Sequence, residues 1–233
     1  MTEIKFAASG GTLPGYLSEP AGAGPWPGIV VVHDAFGLSS DVKRICGRLA
    51  DAGYLTLAPA LYRRGNRVRC VVSTLRALQA GAGTAFDDIV AARDHLVADP
   101  RCTGKVGIVG FCMGGGFALQ LAPRGFFDAA APNYGVWPDD PEVLRGACPT
   151  VASYGAKDRM LPGVAAKHEQ LLTEDGVPHD VKEYPEVAHS FMNDFGTPAP
   201  LQFVERIAGL AYSAPEAEDA WARILAFFGE HLA

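Results

Sequence analysis

The sequence is poor in the features that mark secreted, membrane-bound or nucleic-acid-binding chains. Its five cysteines, at positions 46, 70, 102, 112 and 148, form no Cys-x-x-Cys pair and no Cys/His cluster with zinc spacing. That pattern excludes a disulfide framework and a structural zinc site, and it predicts a reducing compartment. No apolar run approaches the roughly 20 residues of a membrane span. The opening Met1-Thr2-Glu3-Ile4-Lys5 lacks the apolar stretch of a secretory leader, so a cytoplasmic location is expected. Twenty Lys and Arg against 26 Asp and Glu leave a net charge of −6 with no basic stripe, which argues against nucleic acid as a partner. No repeat, low-complexity tract or linker interrupts the chain, and a single domain over residues 1–233 is expected. No metal and no cofactor is predicted, and the expected oligomeric state is a monomer.

What the chain does have is a regular alternation of apolar strands and amphipathic helices, with 48% hydrophobic residues over 233 positions, enough for a substantial core. Ile4 to Ala8 and Thr12 to Ser18 read as an opening strand pair around Ser9-Gly10-Gly11. Gly28 to Val32 is continuously apolar, as in a strand buried on both faces. Asp41 to Ala52 reads as a helix capped by Ser39 or Ser40 and stopped by Gly53. A strand over Tyr54 to Ala58 follows. Residues 62 to 83 read as a loop with a helix from about Val71, and the Arg63-Arg64 and Arg67 to Arg69 cluster as solvated charge. Ala85 to Ala98 is helical, Val106 to Gly110 a strand, and Met113 to Ala122 a helix. Strands over Ala129 to Tyr134, Thr150 to Tyr154 and Val181 to Tyr184 alternate with helices over Gly163 to Thr173 and Ala217 to His231. The implied fold is α/β: a mostly parallel central sheet covered by helices on both faces.

Chemistry concentrates at Gly110-Phe111-Cys112-Met113-Gly114-Gly115-Gly116, directly after an apolar strand. The pattern Gly-x-Cys-x-Gly resembles the nucleophile elbow of the α/β-hydrolases, with a thiol where a hydroxyl is usual. The strained apex requires nearly side-chain-free neighbours two positions away, and the helix beginning at Met113 aims its amide dipoles at the sulfur, which favours thiolate. A phosphate-binding turn fits less well: the second glycine comes too late for Gly-x-Gly-x-x-Gly, and no Lys-Ser or Lys-Thr follows. Cys46 and Cys148 read as inert structural residues.

Two further side chains follow in the order this fold uses, nucleophile, acid, histidine. Asp158 lies in the turn Gly155-Ala156-Lys157-Asp158 after one strand, and His189 in Ala188-His189-Ser190-Phe191 after the next. All three positions lie beyond the C-terminal ends of strands, where open α/β sheets bind their ligands. Cys112 would attack a carbonyl carbon, His189 would take the thiol proton and later activate water, and Asp158 would fix the imidazole.

Together with His33-Asp34-Ala35-Phe36-Gly37, Pro59-Ala60-Leu61-Tyr62 and Gly104-Lys105-Val106-Gly107, these motifs make the chain similar to the dienelactone hydrolase (carboxymethylenebutenolidase) family from about Pro27 to the C-terminal helix. The resemblance implies an α/β-hydrolase fold with a nucleophile elbow, hydrolysis of lactones or activated esters through a thioester acyl-enzyme, and a small-molecule lactone or ester as partner. It also implies an oxyanion hole made by the N–H groups of Ala35 and Met113, with Phe36 shaping the turn. A thiolate leaves a tetrahedral intermediate more readily than an alkoxide, so good leaving groups such as enolates are favoured over alkyl esters and amides. Carboxylesterase, thioesterase or acyltransferase activity with the same nucleophile is the alternative, and a thiol redox sensor lies further off.

The chain departs from the family at two positions. Asp34 stands where the family usually has a glutamate that pairs with the nucleophile; here the shorter side chain either keeps that role or binds loop amides. Asn193 stands where the family has a substrate-binding arginine, and an amide cannot supply a charged fork of donors. Arg64, Arg67, Arg69 and Arg76 compete for a second carboxylate-binding role. Trp137, Phe191 and Phe195 line the pocket or belong to the core, and residues 194–212 form a packed segment or a lid.

Overall fold

The computed structural model describes residues 2–197 and 209–233. Among them eight strands form one sheet, β1 (Thr2–Ala8), β2 (Gly11–Ser18), β3 (Trp26–Val32), β4 (Leu55–Pro59), β5 (Cys102–Phe111), β6 (Ala129–Asn133), β7 (Thr150–Gly155) and β8 (His179–Tyr184). Their spatial order is β1-β2-β4-β3-β5-β6-β7-β8. The β1–β2 and β2–β4 pairs are antiparallel, and every other pair is parallel. Among the described residues the α-helices are α1 (Ser40–Asp51), α2 (Arg67–Ala80), α3 (Thr84–Ala98), α4 (Met113–Leu121), α5 (Val164–Glu174) and α6 (Ala214–His231).

The period-two alternation of strand side chains divides the core between the two faces of the sheet. Ile29 and Val31 of β3, with Val109 and Phe111 of β5, pack among Val42, Ile45 and Leu49 of α1 and Trp221, Ile224 and Phe228 of α6. Val30 and Val32, with Val106 and Ile108, face Phe86 and Ile89 of α3 and Phe117 and Leu121 of α4. At about 1.5–3 kcal/mol for each fully buried large apolar side chain, the central parallel strands are the most strongly held part of the molecule. They form the platform beneath the loops at their C-terminal ends.

The fold is the expected α/β architecture, with differences at the ends of elements; β5, for one, begins at Cys102 and not at Val106. The helix expected from about Val71 begins at Arg67, because the Asn66 side chain accepts the Arg69 N–H at 3.2 Å and caps the helix one turn earlier. Arg67 and Arg69 therefore open a helix, while Arg63 and Arg64 precede it. β6 stops at Asn133, since Tyr134 turns to φ 37° instead of continuing the strand. Of the proposed lid or packed segment 194–212, residues 198–208 lie outside the described residues. Among the described residues no helix is long and apolar enough to cross a membrane, and no three metal-ligating side chains cluster.

Candidate active site

Strand β5 runs straight into the turn that presents Cys112. The cysteine has φ 55° and ψ −115°, a conformation that strains any residue with a side chain. The turn closes so tightly that a Cβ on Gly110 would lie 2.0 Å from the Gly114 carbonyl oxygen, and one on Gly114 would lie 2.2 Å from the Val32 oxygen. The absence of side chains at these two positions lets α4 start against the end of β3. The Cys112 N–H donates to Asn133 O at 3.1 Å, tying the apex to the end of β6.

The acid and the histidine come from neighbouring loops, after β7 and β8. Backbone bonds join those loops: Ala156 N–H donates to Tyr184 O at 2.9 Å and Lys157 N–H to Val187 O at 3.0 Å. Asp158 is buried; its Oδ1 accepts the Met160 N–H at 2.8 Å and its Oδ2 contacts His189 Nδ1 at 2.6 Å. His189 Nε2 is buried with no partner of ordinary hydrogen-bond geometry. Cys112 lies close enough to the ring to influence its protonation. Burial disfavours the imidazolium, but the bond to Asp158 and the interaction with Cys112 outweigh it and lift His189 to about 9. The structure thus brings together Cys112, Asp158 and His189, residues from three separate segments.

The β3 loop forms the opposite wall. Asp34 Oδ1 accepts the Phe36 N–H at 2.8 Å, as expected of a residue binding loop amides, while its buried Oδ2 has no partner. Burial pushes Asp34 up to about 6 against the pull of that N–H, and the charge of Asp41 adds to the shift. His33 is fully buried beside it, bonded through Nδ1 to Asp34 O at 2.7 Å, and burial pushes it down to about 4. Ala35 and Phe36 are exposed at the tip of the loop. Met113 opens α4, so its N–H has no intrahelical acceptor. The Tyr62 hydroxyl reaches the Met113 sulfur at 3.2 Å.

Asn193, expected at the substrate pocket, is instead buried with both polar atoms engaged. Its Oδ1 accepts from Tyr134 Oη and its Nδ2 donates to Asp41 Oδ2, each at 2.7 Å. A short amide in a turn bordered by α1 finds its partners there and turns away from solvent. Arg64 is likewise committed, donating to the buried Asp88 at 2.7 Å. Arg67 reaches the β3 loop, donating to Phe36 O at 3.2 Å. Phe191 is core, Phe195 is half-buried edge-on to Phe36 at 4.9 Å, and Trp137 packs edge-on to His168 at 5.4 Å.

Sequence reasoning did not single out Tyr134 or Asp41. Tyr134 is fully buried and lies edge-on to His189 with ring centres 5.3 Å apart. The signal available for it was Asn133-Tyr134-Gly135, a strand end beside a glycine. Two cavities adjoin the site. One of 300 Å³, lined by Phe36, Gly37, Tyr62 and Arg67, opens beside the β3 loop. A larger one of 530 Å³ is lined in part by Asp158 and His189 but not by Cys112.

The model of the dienelactone hydrolase family matches residues 13–232. The carboxymethylenebutenolidase of Pseudomonas putida is 31% identical, in an alignment covering 78% of this chain and 81% of that one. The crystal structure of a dienelactone hydrolase-like promiscuous phosphotriesterase from metagenomic libraries superposes with TM-score 0.83 at 26% identity, covering 100% of this chain and 98% of that one. The dienelactone hydrolase of Anabaena variabilis shares the fold, with TM-score 0.68 at 22% identity over 100% of this chain and 98% of that one.

Proposed function

This chain belongs to the dienelactone hydrolase family, and from that premise we propose that it hydrolyses enol-lactones or similarly activated carboxylic esters through Cys112, His189 and Asp158. The observation that carries this reading is the 2.6 Å contact of Asp158 Oδ2 with His189 Nδ1, which leaves Nε2 open toward a cysteine held at a strained strand–helix turn.

In the proposed reaction His189 holds the proton of the Cys112 thiol on Nε2 as the sulfur bonds to the carbonyl carbon. Asp158 accepts from Nδ1–H throughout and stabilises the imidazolium. The oxyanion is held by the N–H groups of Ala35 and Met113, each such donor contributing about 3 kcal/mol to the transition state. The carbon–oxygen bond then breaks, the enolate takes the proton from His189, and a thioester remains on Cys112. Water, deprotonated by His189, attacks that thioester; the carbon–sulfur bond breaks and the proton returns to sulfur. Because the thiolate is the better leaving group against an alkoxide, the forward path needs an enolate or an equally stable anion. No cation at position 193 grips the substrate, so a substrate carboxylate is not bound there.

The test is burst kinetics with p-nitrophenyl acetate on the wild type and Cys112→Ser, with and without prior iodoacetamide. The expected result is a burst of one acyl group per chain, abolished by alkylation and by the substitution. Hydrolysis indifferent to both treatments would remove Cys112 from the chemistry. With the nucleophile established, faster turnover of simple alkyl esters than of enol esters would sink the substrate class.

A further inference from the structure

We propose that Asn193 is a positioning residue that ties the histidine loop to the loop after β6 and to the start of α1, and sets the aim of His189. This rests on the reading of Cys112, His189 and Asp158 given above. Asn193 lies four residues after His189 in the same loop, where its N–H closes a turn onto Ser190 O at 2.9 Å. Its side chain then bonds outward in both directions. Oδ1 accepts the Tyr134 hydroxyl, and Nδ2 donates to Asp41, which is also paired with Arg44.

One end of this bridge lies in the loop after β6 and the other in the first turn of α1, and both adjoin segments with a proposed task at the site. Tyr134 directly follows Asn133, whose carbonyl holds the Cys112 N–H. Its ring contacts both His189 and Phe191 edge-on or tilted, at centroid distances of 5.3 and 5.5 Å. Tyr134 has φ 37°, a conformation that strains an aromatic residue and persists only where its surroundings hold it. Its N–H to Ser153 O at 2.8 Å and its hydroxyl to Asn193 supply that hold. Asp41, in the first turn of α1, sits just beyond the β3 loop that carries Ala35. One amide therefore ties the histidine loop to the residue beside the elbow's anchor and to the helix turn that follows the proposed oxyanion loop. All three polar groups are buried, so breaking the bridge leaves partners that water cannot satisfy.

Asn193→Leu keeps the volume and removes both bonds. The expected result is a fall of about ten- to a hundredfold in the acylation rate constant, with KM unchanged and the rate of Cys112 alkylation by iodoacetamide falling alongside. A rise in KM with acylation intact would mean that Asn193 touches substrate. A lower melting temperature with acylation and alkylation intact would mean a purely structural role. Either outcome overturns the proposal. Should that variant fail to fold, the polarity exchange decides. Asn193→Asp alone sets two carboxylates across a 2.7 Å contact and is expected to slow acylation. Adding Asp41→Asn lets the carboxylate introduced at 193 accept from both Tyr134 and the new amide, which should restore the rate. A double variant as slow as the single one overturns the proposal. Failure of the parent reading is seen separately, as a burst that survives in Cys112→Ser.

Discussion

The middle of the sheet and its C-terminal rim are made from the same strands, yet they are built to opposite specifications. Along β3, Ile29 to Val32 are fully buried, apolar and hydrogen-bonded into the parallel ladder. One and two residues further on come His33 and Asp34, also buried, each with a side-chain atom lacking a partner. Of the five buried side-chain atoms without partners among the described residues, four lie at this rim, in His33, Asp34, Asn133 and His189. Each such atom costs about 1–3 kcal/mol. Cys112, Tyr134 and Ser190, the non-glycine residues with positive φ among the described residues, lie there as well. The interior supplies the stability, and the rim holds strain and unpaired polarity where a reacting group can use them.

The sharpest way to break this contrast is to add one carbon at the rim. Gly114→Ala places a methyl 2.2 Å from Val32 O and 2.7 Å from His33 O, both backbone atoms that cannot swing aside. Either α4 or the end of β3 must shift, and both carry proposed parts of the site. The expected cost is about 1–3 kcal/mol or more in stability, with hydrolysis lowered at least about a hundredfold as the elbow is displaced. Denaturant melts and kcat/KM measured on the folded fraction would check both. Unchanged activity would show that the elbow tolerates a side chain where the geometry allows none.

How much of this could be read from the chain depended on the range of the interactions involved. Cys112 and Asp158 each announce themselves locally, in a turn after an apolar strand, whereas His189 follows the polar strand β8 by five residues and stood out by the order nucleophile, acid, histidine. The α/β alternation was equally local, and the cap of α1, open between Ser39 and Ser40 in the sequence, is Ser39, which accepts the Val42 N–H at 3.3 Å. The start of α2 was missed because the Asn66 cap was hidden among arginines that resemble a solvated loop. The Asn193–Asp41 contact spans 152 positions, and no pattern in the sequence marks the two as partners. Compared with an arginine, an asparagine at 193 looked like a lost substrate contact. The fold shows an amide turned inward.

A second change at the rim should raise stability. Burial lifts Asp34 from its ordinary 3.8 to about 6, so the folded state prefers the neutral acid. The contribution of that preference is fully present below about pH 4 and is lost as the pH rises through about 6, because folding then buries an ion. Asp34→Asn retains an oxygen to accept the Phe36 N–H and is neutral at every pH. Its melting temperature should match the wild type near pH 4 and exceed it at pH 8. The full shift corresponds to at most about 3 kcal/mol, and at about 2–4 °C per kcal/mol the gain is several degrees. A gap that does not change with pH would show that the buried charge is not its origin.

The smallest effect belongs to a glycine away from the rim. Gly229 lies in the last turns of α6, with an ordinary helical φ and no atom within 4 Å of the position a Cβ would take. Nothing there uses its freedom, and the unfolded chain gains entropy from it. Gly229→Ala should therefore stabilise the protein by about 0.5–1 kcal/mol, visible as a rise of about 1–4 °C in melting temperature, with kcat and KM unchanged. The same one-carbon change would then have opposite signs at positions 114 and 229. The two sites differ in whether backbone is already packed where the methyl must go: Val32 O stands 2.2 Å away at one and nothing lies within 4 Å at the other. Were Gly229→Ala to destabilise the fold or slow hydrolysis, stability could not be assigned to the interior and strain to the rim, because a helix packed on the interior would itself depend on backbone freedom.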